Sequence, residues 1–313
     1  MKILISTLAL LLTLDLYAET IKVMSFNTGT TPSKGKRNGG PEEYSRKLAK
    51  TSDNYYGNGL AWLPAVAAAK KFITDQNADI IGFQEMFDSR NCSTIPKEFH
   101  NSFICEGWRK DAPMVIQQVT SEKYQIACHI HDSEKCIAVK KSFGYIEGCY
   151  SDICLDALEG EVIKNCGGRS RVGKAIISSY SGEKYNVIHV HGTSGFKGDD
   201  KDCRKKQFSL MFNDYPESGN NIILGDFNTD PNKLKRFDRS AKKLKELAKA
   251  NKFKRVNGSI NRQTYAGLVT LDHIYTDSLD RVSCKAYGVS KNTGYILNQP
   301  YFDHVPLVCE LSH

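Results

Sequence analysis

Six short apolar runs that each stop at an amide, a carboxylate or an imidazole constrain this chain more than any other feature. They read VMSFN at 23–27, IIGFQE at 80–85, NVIHVHG at 186–192, NIILGDFN at 221–228, LDHIY at 271–275 and YFDHVPL at 301–307. Apolar, β-branched runs bounded by polar or turn residues predict strands. A strand that stops at a polar group delivers it to a sheet edge without burying its charge. One such ending is unremarkable; six in order point to a site assembled at strand ends.

Between these runs the periodicity changes. PAVAAAKKFITDQ at 64–76 opens on a proline and carries Val66, Ala69, Phe72 and Ile73 on one face, which predicts a helix ending near Asn77. Helical patterns recur at 204–212 and 232–250, and further strands are predicted at 136–139, 174–177 and 305–310. Residues 28–60 are rich in Gly, Ser, Pro, Lys and Asn and read as a long loop bordering the first strand's end. Residues 88–168 hold seven of the ten cysteines and read as a disulfide-stapled, loop-rich layer. Several strands follow one another directly, so a purely parallel sheet is excluded in favour of a mixed α/β sandwich. Nothing in composition splits residues 19–313, which are expected to form one domain.

The start of the chain sets the compartment. Met1-Lys2, an apolar stretch at 3–14 and Ala18 before Glu19 have the pattern of a cleaved secretory signal over residues 1–18, too short for a stable membrane span. All ten cysteines lie beyond it, an even number in an exported chain, which predicts disulfides formed outside the cytoplasm or in a periplasm. No CxxC pair supports a zinc site instead. The pairing does not follow from the sequence. A net charge of +8 favours a polyanionic partner, nucleic acid or an anionic lipid surface.

The polar groups at the strand ends are those that hard cations and phosphates demand. Asn27 and Glu85 offer oxygen ligands suited to magnesium, manganese or calcium, and Asp226 and Asn228, two apart, can point the same way. Alone, Glu85 reads equally as a helix cap or a surface carboxylate. His189 and His191 share one strand face by period two; His191, at the strand end, is the site candidate and His189 the satisfied core neighbour. Asp230 reads as an Asx turn ahead of the next helix.

FN at 26–27, QE at 84–85, GDFN at 225–228, LDHIYTD at 271–277 and DH at 303–304, in this order over nearly the whole chain beyond the leader, resemble the endonuclease/exonuclease/phosphatase superfamily. The resemblance implies a four-layer α-β-β-α sandwich, two mixed sheets face to face with helices outside, and metal-assisted attack of water on a phosphodiester. It implies that Glu85 ligates the metal with Asn27 close by and Asp303 sharing the cation, and that Asp226 orients or deprotonates the water while Asn228 holds a phosphate oxygen. Asp272 and His304 match the family's carboxylate–histidine dyad, the imidazole acting as base or charge stabiliser, and His191 matches its general acid. Within the nuclease branch, Arg171 in SRVG at 170–173 matches a phosphate-binding arginine and Glu134 a partner for His191; a surface arginine and a solvated glutamate are the plain readings of both.

Fold resemblance does not select the substrate. The export signal, the positive charge and Lys/Arg-rich segments around 33–37, 201–206 and 233–255 favour DNA or RNA, although the last also reads as the wet side of an amphipathic helix. A sphingomyelinase-type lipid phosphodiesterase is the alternative: EMFD at 85–88 and the pair Cys166 and Cys203 are similar to bacterial sphingomyelinases, and residues 294–302 offer an apolar loop for a membrane. An inactive binding or toxin subunit on the same fold is the third reading. The chain is expected to act as a monomer with no protein partner.

Overall fold

The computed structural model describes residues 20–33, 43–288 and 301–313. The expected leader at 1–18, most of the basic segment at 33–37 and residues 294–300 of the expected apolar loop lie outside the described residues.

Among the described residues, thirteen strands build two mixed sheets. In chain order they are β1 (Thr20–Asn27), β2 (Ile80–Gln84), β3 (Tyr124–His129), β4 (Asp132–Lys140), β5 (Gly144–Ile146), β6 (Ile153–Leu158) and β7 (Val172–Ser179). Then follow β8 (Lys184–His191), β9 (Asn220–Asp226), β10 (Lys254–Arg255), β11 (Asp272–Thr276), β12 (Asp280–Ala286) and β13 (Leu307–Ser312). The seven-stranded sheet has the order β12-β13-β1-β2-β4-β3-β6, with β1 parallel to β2. The six-stranded sheet runs β10-β11-β9-β8-β7-β5, with β8 parallel to β9.

Alternation along each strand assigns its two faces. Ile21, Val23, Ile80, Ile137 and Val139 of the first sheet meet Ile177, Val187, Ile222, Leu224 and Ile274 of the second in a core between the sheets. The opposite faces carry the outer layers. Met24, Phe26, Ile81 and Phe83 pack on Ala65, Ala69 and Phe72 of helix α2, and Ile188, Val190, Ile223 and Tyr275 pack on Phe208, Leu244 and Leu247. The last three belong to α4 and α5. In order the helices are α1 (Arg46–Tyr55), α2 (Leu63–Gln76), α3 (Val115–Thr120), α4 (Gly198–Ser209) and α5 (Arg239–Ala250). Helix, sheet, sheet and helix make four layers, the architecture expected.

The same alternation sends Asn27, Gln84, His189, His191, Asp226 and Asp272 toward the sandwich interior. Each shares parity with an apolar residue of the inter-sheet core, such as Val23, Ile80, Val187, Leu224 and Ile274. The site is therefore the polar continuation of the core at one edge.

Several local expectations need correction. The expected loop at 28–60 contains α1, started by Ser45, whose side chain accepts from Leu48 N; its polar composition hid an amphipathic helix. The cysteine-rich segment supplies β3 to β6, and β4 lies in the middle of the first sheet between β2 and β3. Helix α4 begins at Gly198 rather than 204, and α5 begins at Arg239 rather than 232, because Asp238 caps it and Phe237 points into solvent. Tyr301 and Phe302 are fully buried against Phe26, Tyr44 and Trp62, so the described end of the apolar stretch is core.

Five disulfides join all ten cysteines: 92–105, 128–136, 149–154, 166–203 and 284–309. Cys128–Cys136 and Cys284–Cys309 each link residues directly opposite on paired strands. No helix among the described residues is long and apolar enough to cross a membrane.

Candidate active site

Strand register lines up the polar groups. In the second sheet His191 lies opposite Asp226 across the β8–β9 pair, and Asp272 lies opposite Asp226 across β9–β11, so three strands present a row of imidazole and two carboxylates. In the first sheet Asn27 is level with Gln84, which brings Glu85 to the same edge. Asn27 joins the sheets: its Nδ2 donates to Glu85 Oε1 at 2.9 Å and to Asp226 Oδ2 at 3.0 Å. His304, on the segment leading into β13, donates from Nδ1 to Asp272 Oδ2 at 2.7 Å and holds Nε2 3.6 Å from Asp226 Oδ2. His191 Nε2 is 3.4 Å from Glu85 Oε1 and 3.7 Å from Asp226 Oδ2.

The backbone bends to make this edge. Glu85 and Asn228 both adopt left-handed conformations, φ 59° and 52°, a cost that non-glycine residues bear where surrounding contacts over-determine them. At Asn228 those contacts are visible: its N donates to Asp226 Oδ1 at 2.7 Å, and its Nδ2 donates to Gly192 O at 3.0 Å and Asp226 Oδ2 at 3.1 Å. Gly29 is required for space, since a methyl group there would collide with Glu85 Oε2. Gly225 has φ 142° and lies so close to Val190 O that no side chain fits.

Crowded carboxylates disturb one another's titration. Burial and the nearby Asp303 push Glu85 up to about 7, although Asn27 and His304 oppose the rise. Burial pushes Asp226 up to about 7, with His304 opposing and Asp272 adding. Burial also raises Asp303. His304 goes the other way from a buried histidine: desolvation is outweighed by Asp272, Asp226 and Asp303, and it stays protonated well above its ordinary range. His191 is held well below the ordinary range by burial and by Lys135 and Arg171, and is neutral.

Among the described residues two triplets offer ligand atoms within 4.8 Å of one another, Glu85–His191–Asp226 and Asp226–Asp272–His304. Asp272 Oδ1 and His191 Nδ1 are buried with no hydrogen-bond partner. Hard oxygen donors, mutual repulsion and spare acceptor capacity fit a divalent cation, which would replace the protons that these carboxyls otherwise keep.

Two further residues singled out in the sequence lie beside this edge. Arg171 O accepts from His191 N, and its guanidinium reaches toward Gly192 O at 3.4 Å with a buried, unpartnered Nε. Glu134 does not meet His191: its carboxylate pairs with Arg169 at 3.3 Å, while its carbonyl accepts from Met86 N. Asp230 forms the expected turn, accepting from Asn232 N and Lys233 N.

His189 is the satisfied core neighbour expected from the sequence, whereas the partners behind it carry no sequence signal. His189 is fully buried, 2.8 Å from His129 Nε2 through Nδ1 and 2.6 Å from Gln84 through Nε2, and His129 in turn meets Ser170 Oγ at 3.3 Å. A buried Lys135–Asp132 pair completes this interior. His129, Asp132 and Lys135 sit among cysteines on β3 and β4, where no apolar run ends and so no pattern marks them.

Residues 24–291 match the endonuclease/exonuclease/phosphatase family. No curated protein matches the chain in sequence. Among solved structures, an endonuclease/exonuclease/phosphatase from Bacteroides vulgatus is 13% identical, with 94% of this chain and 99% of that one covered at a TM-score of 0.58. D. rerio TDP2 complexed with single strand DNA product is 12% identical over 94% of this chain and 99% of that one, with a TM-score of 0.55. An AP endonuclease from Archaeoglobus fulgidus is 13% identical over 92% and 98%, with a TM-score of 0.52. At such identities the likeness is one of fold.

Proposed function

Because this chain belongs to the endonuclease/exonuclease/phosphatase family, whose members are typically metal-dependent phosphodiester hydrolases, we propose that it hydrolyses phosphodiester bonds of nucleic acid with a divalent cation, outside the cell or in a periplasm. The observation that carries this reading is the carboxylate cluster at the joined sheet edges, with Glu85 and Asp226 both raised to about 7 and bridged by Asn27. Carboxylates held together against their own repulsion suit a site for a divalent cation. Five disulfides support export.

In this reading Glu85 would hold magnesium, manganese or calcium, with Asn27 and Asp303 beside it, and a cation bound there would supply neutralisation of charge developing on the phosphate and a lower pKa for water. Asp226 orients the attacking water and takes its proton, and Asn228, whose Nδ2 donates to Gly192 O and Asp226 Oδ2, would exchange one of these bonds for one to a phosphate oxygen. Asp272 fixes the tautomer and orientation of His304 through the 2.7 Å contact. Since His304 is held protonated, charge stabilisation fits it better than the role of base. His191 is neutral before substrate arrives; the negative phosphate favours its protonation, so that Nε2 donates to the leaving oxygen. Arg171, whose buried Nε has no partner at the same edge, is the residue we assign to a phosphate oxygen.

One observation speaks for a sphingolipid substrate: Cys166 and Cys203, similar to the cysteine pair of bacterial sphingomyelinases, are joined. Against it, Tyr301 and Phe302 are buried and present nothing to a membrane. The test offers plasmid DNA, RNA and sphingomyelin side by side to the purified chain, with magnesium and with EDTA. Cleavage of nucleic acid supports the reading. Release of phosphocholine alone transfers the same residues to a lipid phosphodiesterase, and no turnover of any of them leaves the inactive binding subunit.

A further inference from the structure

Three large apolar side chains stand in solvent on loops attached to the catalytic strands: Phe196 (69% exposed), Phe237 (77%) and Leu268 (57%). These loops are held firmly. Thr193 O and Gly195 O, just ahead of Phe196, accept from Arg204 Nη1 at 2.7 and 2.8 Å. Arg204 is fully buried, with Nη2 2.9 Å from Asp238 Oδ2, and Asp238 adjoins Phe237 and accepts from Thr229 Oγ1 at 2.7 Å. Lys201 Nζ donates to Phe237 O at 3.1 Å, and Lys233 Nζ donates to Leu268 O at 2.8 Å. Ala266, in the same turn as Leu268, donates to Asp303 O at 2.9 Å. One buried ion pair and two lysines thus tie the three loops to one another and to the site.

Single exposed hydrophobes are ordinary. Three on linked loops around one site, interleaved with Lys197, Lys201, Lys233, Lys235 and Arg236, combine the two elements that bind unpaired strands: aromatic faces for bases and cations for the backbone. We infer that this rim docks a single-stranded segment of nucleic acid, with unpaired bases stacking on Phe196 and Phe237; the inference rests on the nucleic-acid reading above. A duplex covers its base faces and offers these rings nothing to stack on. A membrane-entering tip needs contiguous apolar residues free to sink, whereas here the carbonyls of Phe237 and Leu268 are tethered to the body and basic residues separate the side chains.

The test compares the full chain with its Phe196→Ala/Phe237→Ala variant. A fluorescent oligothymidylate is titrated in EDTA by anisotropy, and hydrolysis of one labelled oligonucleotide, single-stranded and in duplex, is measured beside a small chromogenic phosphodiester. The expected result is single-strand affinity and kcat/KM reduced about tenfold or more, the small diester unaffected and Phe→Trp replacements retaining binding. Equal losses on all substrates, or no loss on the single strand, overturn the platform while leaving the nucleic-acid reading intact. Binding to phosphatidylglycerol vesicles that the variant loses replaces it with a membrane contact. A parent chain that hydrolyses the small diester but no oligonucleotide overturns the nucleic-acid reading and the platform with it.

Discussion

Replacing Asp226 by asparagine should make the metal-free protein more stable at pH 8 while abolishing its chemistry. The carboxyl is buried, and its pKa rises from 3.8 to about 7. A group whose folded pKa is raised adds stability below its unfolded value and loses it as pH climbs through the folded value. For Asp226 that loss runs from about pH 4 to 7, and at about 1.4 kcal/mol per pH unit it approaches about 4 kcal/mol. That rise is already net of the attraction of His304, 3.6 Å away, so a gain on the order of 3 to 4 kcal/mol is expected for Asp226→Asn at pH 8. At pH 5 the folded parent keeps its proton, and most of the difference disappears. His304, which Asp226 helps to keep protonated, loses that support in the variant and titrates at lower pH there. The assay is denaturant unfolding of parent and variant in EDTA at pH 5 and pH 8. A variant that is less stable at pH 8, or a difference independent of pH, refutes the reasoning. With saturating manganese the order should reverse, because the cation relieves the charge that the mutation removes.

Asp272→Asn should lower kcat by about two to four orders of magnitude with little change in KM, because His304 loses the carboxylate that orients it; without that partner its pKa falls, so the alkaline limb of the pH profile should move to lower pH. An unchanged profile would separate Asp272 from His304. Gly29→Ala should cost at least about a hundredfold in activity, since the added methyl group displaces the Glu85 carboxylate by an ångström or more, and full activity would show that Glu85 tolerates displacement. Removing the 166–203 disulfide by a double serine substitution opens a separation of 37 residues and should destabilise by about 4 kcal/mol; an unchanged melting temperature would place that segment's stability elsewhere.

The strand-end residues were legible because one rule serves both stability and chemistry. Apolar residues fill the inter-sheet core up to Val23, Val187 and Leu224, and farther along the same faces Asn27, His191 and Asp226 fall at the edge, where polarity is tolerated. The register that brings Asp226 level with both His191 and Asp272 was not legible, since pairing partners far apart in sequence leave no local mark. Local rules also failed where a pattern had two solutions. Leu234 and Phe237 continue the spacing of α5, yet Asp238 accepts from Ser240 N and starts the helix after them. Arg204, counted within the basic segment 201–206 that favours a polyanion, is instead the buried partner of Asp238. Strand β12 is an edge strand, mostly exposed, and carries no alternation to betray it. Of the four strands among the cysteines only β4 was marked, by its apolar run at 136–139. Strands β3, β5 and β6 are interrupted by turns and charged residues and owe their place to pairing, β3 and β6 in the first sheet and β5 in the second.

The most direct test of a phosphodiesterase built on this carboxylate cluster is hydrolysis of DNA by chelator-stripped protein as magnesium or manganese is returned. Activity should be absent in EDTA, recover with either cation, and remain absent throughout in Glu85→Gln. Turnover that ignores the chelator, or a Glu85→Gln variant that recovers with the parent, would contradict a metal held by Glu85.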